Sequence, residues 1–367
     1  MALSAWLYAC GDNVSLLDAG SVAPGFEPAP HAPLPQVSGH SNTVLSSVQL
    51  VTLTYQDDAE RAAVEQLGDL VVGSPWYTGV GAEYGVLAGS HLAKVRLGAA
   101  PASLGRPQIE AQIRDAVTSG LAPAPASRSD QLLYLLYVPP QVARATDLTG
   151  HGYHDAIEIN GVRVPIAAVL EDDAGIASTT AAAARLLINS ATDPYSVPDD
   201  GYYTDPPATD PWSLVQGEVA DLCSGETPVP LDDDHPAMAM PRVYSNAAAS
   251  AGGAPCKPIE PDELWNDVSA EPSRLQPVQR GGAVMFHLTG WSTHAMPDWT
   301  LRVEADDRSD FSIIDMEPEL TSDTINNNQH VTLTVHAPIT ADIGQVGGVH
   351  VLSGPDAHPW TVGIVVQ

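Results

Sequence analysis

Basic residues are scarce in this sequence. Its 367 residues include 15 Lys and Arg against 45 Asp and Glu, which gives a formal net charge of -30 at pH 7. Such a surface repels phosphate groups, so nucleic acids are excluded as partners and anionic membrane surfaces are disfavoured. The sequence also lacks a run of about twenty apolar residues, the length that a membrane-spanning helix needs. With 32 Pro and 30 Gly, the composition is instead typical of a loop-rich, exported protein.

Cysteine is rare as well, with three in the chain. In an exported protein, Cys223 and Cys256 would most simply form one disulfide, and two free buried thiols in a cytosolic protein are the alternative. Cys10 ends a short apolar segment that is similar to a lipobox, in which the cysteine becomes lipidated. We therefore interpret residues 1–20 as a lipoprotein signal, with a disordered N-terminus as the alternative. Residues 21–41, rich in Pro, Gly and Ser, are predicted to be a flexible linker.

Hydrophobic patterns divide the rest of the chain into two regions. Residues 132–138 are wholly apolar, which is typical of a central strand buried on both faces. The Asn160-Gly161 pair lies between β-branched runs and indicates a hairpin. From about residue 258, short alternating strands separated by turn residues predict an immunoglobulin-like β-sandwich. The fold class predicted is therefore α+β, with an α/β domain at residues 42–257 and the sandwich at residues 258–367.

A helix is predicted in the segment AAAARLLINSATDPY, which begins at Ala181. Ser178, Thr179 or Thr180 would serve as its N-cap. Arg185 and Asn189 lie four positions apart and therefore share one face of the helix. Taken alone, this pattern is that of an ordinary core helix with one polar stripe.

The downstream motifs change this interpretation. The helix is followed by a Thr-Asp-Pro turn, by Trp212 and by Glu-Val-Ala-Asp-Leu-Cys at residues 218–223. This combination resembles a group of secreted zinc-metallopeptidase-like proteins common in myxobacteria and, more distantly, the plant EXORDIUM (phosphate-induced) proteins. The resemblance covers about residues 40–367. It implies a zincin-like fold for the first domain, in which the helix lies beneath a cleft formed by Thr192, Asp193, Trp212, Glu218 and Asp221.

In that family the helix carries a His, an adjacent Glu and a second Glu, as in a zinc-peptidase helix. Alignment on the Thr-Asp-Pro turn puts Arg185, Leu186 and Asn189 at these three positions. A guanidinium cannot give up a proton to coordinate a metal, and leucine offers no general base. The resemblance therefore implies no catalytic residue and no cofactor. In place of the metal we expect an ion pair between Arg185 and either Glu218 or Asp221.

Other interpretations stay open at this point. If metal binding is retained, the cofactor is zinc, and His151, His154 and Glu218 are candidate ligands. One alternative function is an active metal-dependent hydrolase that uses ligands not identified from the sequence. A second alternative is a surface adhesion protein that binds through the sandwich. We favour the interpretation that follows from the replaced helix positions. The chain is then an exported, catalytically inactive protein, extracellular or lipid-anchored at the outer cell surface, that binds extracellular polypeptide or glycan.

Overall fold

The computed structural model describes residues 25–34, 36–41, 43–127, 130–195, 201–204, 217–259, 265–305, 315–354 and 360–367. Helices and sheets are mixed throughout the described part of the first region, whereas the second region is built from strands. The fold is therefore α+β, as predicted. The expected signal, including Cys10, lies outside the described residues.

The N-terminal region, residues 25–259, contains five α-helices among the described residues. They are α1 (Arg61–Val71), α2 (Pro75–Gly81), α3 (Arg106–Thr118), α4 (Ile176–Thr192) and α5 (Asn246–Ser250), with 3₁₀ turns at Ala82–Tyr84 and Asp221–Cys223. Its strands are β1 (Ser38–Gly39), β2 (Gln49–Tyr55), β3 (Ser90–Leu97), β4 (Ser103–Leu104), β5 (Leu132–Val138), β6 (Ala143–Arg144), β7 (Gly152–Ile159), β8 (Val162–Leu170), β9 (Tyr202–Tyr203), β10 (Val229–Pro230), β11 (Ala239–Met240), β12 (Val243–Tyr244) and β13 (Cys256–Lys257).

Five of these strands form the main sheet, in the order β3-β2-β5-β8-β7. β5 is at the centre and all seven of its residues are buried, as its wholly apolar sequence predicts. The first four strands of that order pair in parallel, and β7 pairs with β8 in antiparallel fashion at the edge. β7 and β8 are joined by Asn160 and Gly161, both at positive φ, so the predicted hairpin is confirmed.

Each face of this sheet has its own apolar core. On one face, Leu50 and Leu133 pack with residues of α1, α2 and α4. On the other face, Val51 and Tyr134 pack with Ile109 and other residues of α3. Adjacent strand residues thus point to opposite faces, as pleating requires. The first core continues into the C-terminal region through Trp265 and its neighbours.

The C-terminal region, residues 265–367, consists of two sheets. Its strands are β14 (Asn266–Glu271), β15 (Gln276–Val278), β16 (Ala283–Ser292), β17 (Trp299–Ala305), β18 (Glu317–Leu320), β19 (Thr324–Ile325), β20 (His330–His336), β21 (Val346–Ser353) and β22 (Trp360–Val366). The sheet orders are β14-β16-β20-β18 and β15-β22-β21-β17-β19. Buried residues alternate with less buried ones along β20, so this strand contributes one face to the core.

Residues 25–41, which belong to the predicted linker, make specific contacts with both regions. Asn327 of the C-terminal region accepts a hydrogen bond from Ala29 N (2.9 Å) and donates one to the Glu27 carbonyl (2.9 Å). The His31 ring stacks on Trp291, with ring centroids 3.7 Å apart. Farther along, β1 pairs with β9 of the N-terminal region. The segment therefore lies along both regions, because its scattered apolar side chains and backbone amides find partners on each.

No helix in the described part of the chain is long and apolar enough to cross a membrane.

Candidate functional site

The site is built on α4, which lies against β8 and β7 of the main sheet. Alanines dominate its sheet-facing side, and Ala183 and Ala184 are almost fully buried. Side chains this small let the helix backbone come close to the strands. α4 begins after Gly175, whose positive φ favours glycine, so the expected N-cap at Ser178, Thr179 or Thr180 was wrong.

Arg185 projects from α4 towards the 3₁₀ turn that contains Asp221. Its Nη1 lies 2.5 Å from Asp221 Oδ1, and the two side chains are 27% and 32% exposed. The ion pair predicted between Arg185 and one of the two acidic residues is thus confirmed, with Asp221 as the partner. Partial exposure screens the pair, so its contribution to stability is modest.

A second charged pair lies beside the first. His154 Nε2 is 2.7 and 2.8 Å from the two carboxylate oxygens of Glu218, and both side chains are largely buried. Burial alone would lower the pKa of His154, but the Glu218 carboxylate outweighs it, and Asp193 and Asp221 add to the effect, so that the pKa is raised. The Glu218 carboxylate therefore favours the protonated form of His154.

The remaining two helix positions are structural. Asn189 is 1% exposed, and its side-chain oxygen accepts a hydrogen bond from Ala220 N at 3.0 Å, which fastens the acidic segment to the helix. Leu186 is 2% exposed and packs against the start of β7. A Cβ at Gly152 would lie 2.7 Å from Leu186 Cδ1 and 2.2 Å from the Ala168 carbonyl oxygen, so only glycine fits there.

The expected cleft residues at the end of α4 hold the backbone in place. Thr192 is buried, and its hydroxyl donates to the Ile188 carbonyl at 2.9 Å. Asp193 accepts a hydrogen bond from Gly201 N at 2.6 Å. Both therefore define how the chain leaves the helix. Trp212 lies outside the described residues.

Of the three suggested metal ligands, His154 and Glu218 are in contact with each other, whereas His151 lies 3.2 Å from Asp172 and is well exposed. Within the described ranges, no group of three or more His, Cys, Asp or Glu side chains is arranged to hold a metal. Of the helix positions that the resemblance assigns to a metal centre, Arg185 carries a guanidinium that cannot coordinate a metal and Leu186 carries no donor atom.

A cavity of about 630 Å³ opens beside Arg185. Its floor is the outward face of the first half of α4, and its walls are the segments 220–228 and 239–241 and the loop before β7. Cys223 forms part of this wall and is bonded to Cys256, with their Cα atoms 5.7 Å apart. The predicted disulfide is confirmed, and the alternative of two free thiols is wrong. The bond holds the cavity wall to β13.

Sequence reasoning did not recognise His154 as the partner of Glu218. A signal was available, because residues alternate between the faces of a strand. Tyr153 belongs to the core on the α3 side, and the Arg106 guanidinium lies 4.3 Å from its ring centroid. The next residue, His154, must therefore face the α4 side of the sheet, where the acidic motif lies.

Comparison with known proteins adds no assignment. No protein-family model matches this chain, and none of the curated proteins matches it either.

Proposed function

We propose that this chain is an exported binding protein with a zincin-like N-terminal region and an immunoglobulin-like C-terminal sandwich. In this proposal, internal ion pairs take the place of a zinc centre. The main sheet with one antiparallel edge strand, and α4 packed beneath it, support the zincin-like assignment. The two facing sheets of the C-terminal region support the sandwich. The disulfide is compatible with export.

The observation that carries the proposal is the contact between Arg185 and Asp221. The resemblance puts a metal-binding histidine at position 185, and the arginine there holds the acidic motif by a charge-assisted hydrogen bond instead. His154 likewise contacts the Glu218 carboxylate, at 2.7 Å. The four side chains around this position thus form two pairs, Arg185 with Asp221 and His154 with Glu218.

The residue at the position of the general base also supports binding without catalysis. Leu186 stands where the resemblance puts the glutamate that would deprotonate a metal-bound water, and its side chain is buried against β7. Neither a nucleophile nor an open carboxylate is directed at the cavity from this position. Binding in the cavity, without hydrolysis, is therefore the activity that the site supports best.

Binding is tested with reduced, carboxymethylated casein as an unfolded polypeptide probe. Labelled casein is titrated with the full chain, anisotropy reports binding, and mass spectrometry of the same samples reports cleavage. We expect binding without new peptide termini. The variant Ala181→Trp, which fills the cavity, should abolish it, whereas Ala111→Trp on the exposed face of α3 should not. Cleavage that Arg185→Met abolishes, or binding that Ala181→Trp leaves intact, would contradict the proposal.

A further inference from the structure

The cavity beside α4 has an apolar lining of small residues. Its floor and walls include Ala177, Ala181, Ala182, Ala220, Ala239 and Pro241. A volume of about 630 Å³ lies in the range of sites that enclose a small molecule or a large side chain. Because these side chains are short, they leave the volume open to a ligand.

The lining distinguishes between the two expected partner classes. Among the described residues, no Trp, Tyr or Phe lines the cavity, and most of the lining is apolar, with polar side chains at His151, Ser178, Arg185, Ser224 and Glu226. A sugar ring needs an aromatic face or a ring of hydrogen-bond partners for its hydroxyls, since unpaired hydroxyls are costly to bury. An aliphatic or aromatic side chain needs neither. The cavity therefore favours an amino-acid side chain over a glycan.

The polar end of the cavity is Arg185. Its guanidinium has five N–H groups in one plane, and one nitrogen, Nη1, is held by Asp221. Within the described residues, no acceptor is within hydrogen-bonding distance of its other nitrogens. Asp221 thus fixes the orientation of the guanidinium and leaves N–H groups for a further planar anion such as a carboxylate.

Other charges around the cavity limit what that anion can be. Glu226 also lines the cavity, and the chain as a whole is strongly acidic. A ligand with several negative charges would be repelled, so the ligand should carry one carboxylate and no further acidic group nearby.

We propose that the cavity binds the C-terminal residue of a polypeptide, with a large apolar side chain over the alanine floor and the α-carboxylate on Arg185. This inference rests on the proposed binding function and specifies its ligand. Internal segments of a polypeptide lack the carboxylate, so the site would distinguish chain ends from chain interiors.

The test uses the full chain and three fluorescein-labelled hexapeptides, Gly-Ser-Gly-Ser-Ala-Leu as the free acid, the same peptide as its C-terminal amide, and Gly-Ser-Gly-Ser-Ala-Asp as the free acid. Dissociation constants come from fluorescence anisotropy. The leucine acid should bind at least roughly tenfold more tightly than the amide, because a charge-assisted hydrogen bond is lost on amidation. It should also bind more tightly than the aspartate peptide.

Variants separate the carboxylate contact from folding. Arg185→Gln should remove the preference for acid over amide, and Glu226→Gln should preserve it. Since Arg185→Gln also breaks an ion pair, its circular dichroism and melting curve are recorded first. If this variant fails to fold, Arg185→Lys takes its place, and its affinities for the acid and the amide peptide are compared with those of the wild type.

The outcomes distinguish the two proposals. Equal affinity for acid and amide, together with casein binding that depends on the cavity, overturns the chain-end inference and leaves the binding function standing. No binding of casein or of any peptide overturns both.

Discussion

Arg185 and Asp221 are joined by a 2.5 Å contact between a helix and a 3₁₀ turn that lie 36 residues apart in the chain. The position from which the family resemblance would direct a metal ligand thus carries a cation that binds an acid. A second contact lies beside it, between His154 and Glu218, which are 64 residues apart in the chain.

The first prediction concerns the strength of this contact. In a double-mutant cycle with Arg185→Met and Asp221→Asn, urea unfolding should give a coupling free energy of about 0.5–1.5 kcal/mol, because the pair is partly exposed. The pair Arg114 and Glu110, at 3.0 Å and one turn apart on α3, is a similarly half-buried control and should give about 0.3–0.5 kcal/mol. A coupling of zero at position 185 would show that the contact is incidental.

His154 predicts a pH dependence of stability. Its pKa is raised in the folded protein above the ordinary value near 6.5, so its stabilising effect is fully present below that value and is lost as pH rises through the folded pKa. Between pH 6 and pH 9, the free energy of unfolding of the wild type should fall relative to that of His154→Gln. The measurement is urea unfolding at both pH values. An unchanged difference would contradict the raised pKa of His154.

A second pH effect should come from Glu171 and Asp58, at the ends of β8 and β2. Burial, with help from Asp58 and Glu60, raises the pKa of Glu171 to about 8, and burial also raises the pKa of Asp58. The folded chain therefore retains a proton that the unfolded chain loses near pH 4.5, and stability falls as pH rises from there to about 8.

Replacing this acid should flatten the profile. Glu171→Gln should gain roughly 2–3 kcal/mol in unfolding free energy relative to the wild type between pH 5 and pH 8, as measured by chemical denaturation. Glu158→Gln, at an exposed position of β7, is the control and should follow the wild type. If the Glu171→Gln and wild-type curves run in parallel, the carboxyl is ionised in the folded protein.

The disulfide should stabilise the chain by closing a loop of 33 residues. Cys223→Ala together with Cys256→Ala should lower the free energy of unfolding by about 3–4 kcal/mol in the chain-entropy model. Because Cys223 lines the cavity, the double variant should also bind casein more weakly. Calorimetry and the anisotropy assay measure the two effects separately, and an unchanged melting temperature would contradict the first.

The segment near the N-terminus should be protected from hydrogen exchange at two separate points. Ala29 N donates to Asn327, and Val37 N donates to Asn246 at 2.8 Å. Asn327→Leu should therefore abolish protection at Ala29 and preserve it at Val37, as followed by NMR-detected exchange. Fast exchange of both amides in the wild type would instead support the prediction of a flexible linker.

Local patterns were sufficient for the parts of the fold that local physics determines. The apolar run of β5 and the Asn160-Gly161 turn specify their own structures, so both were predicted correctly. The packing of residues 25–41 depends on Asn246 and Asn327, which are hundreds of residues away, and no local pattern encodes it.

The candidate site also has some features that were predicted from the sequence and others that were not. The contact of Arg185 with the acidic motif was expected from the family resemblance, which puts Arg185 at a metal-ligand position, and the disulfide followed from the small number of cysteines. The partner of Glu218 and the cavity walls depend on how the main sheet, α4 and the segment 217–241 come together. These contacts required the tertiary structure.

Zinc content tests the ion-pair replacement most directly. The natural protein and the triple variant Arg185→His, Leu186→Glu and Asn189→Glu are exposed to zinc, desalted and measured by elemental mass spectrometry. Since Leu186 and Asn189 are buried, Arg185→His alone is measured beside them. We expect the natural chain to retain far less than one zinc and the restored helix to hold about one per chain. If the natural chain holds about one zinc, and the variants at these three positions hold the same amount, the pair Arg185 and Asp221 does not replace a metal centre.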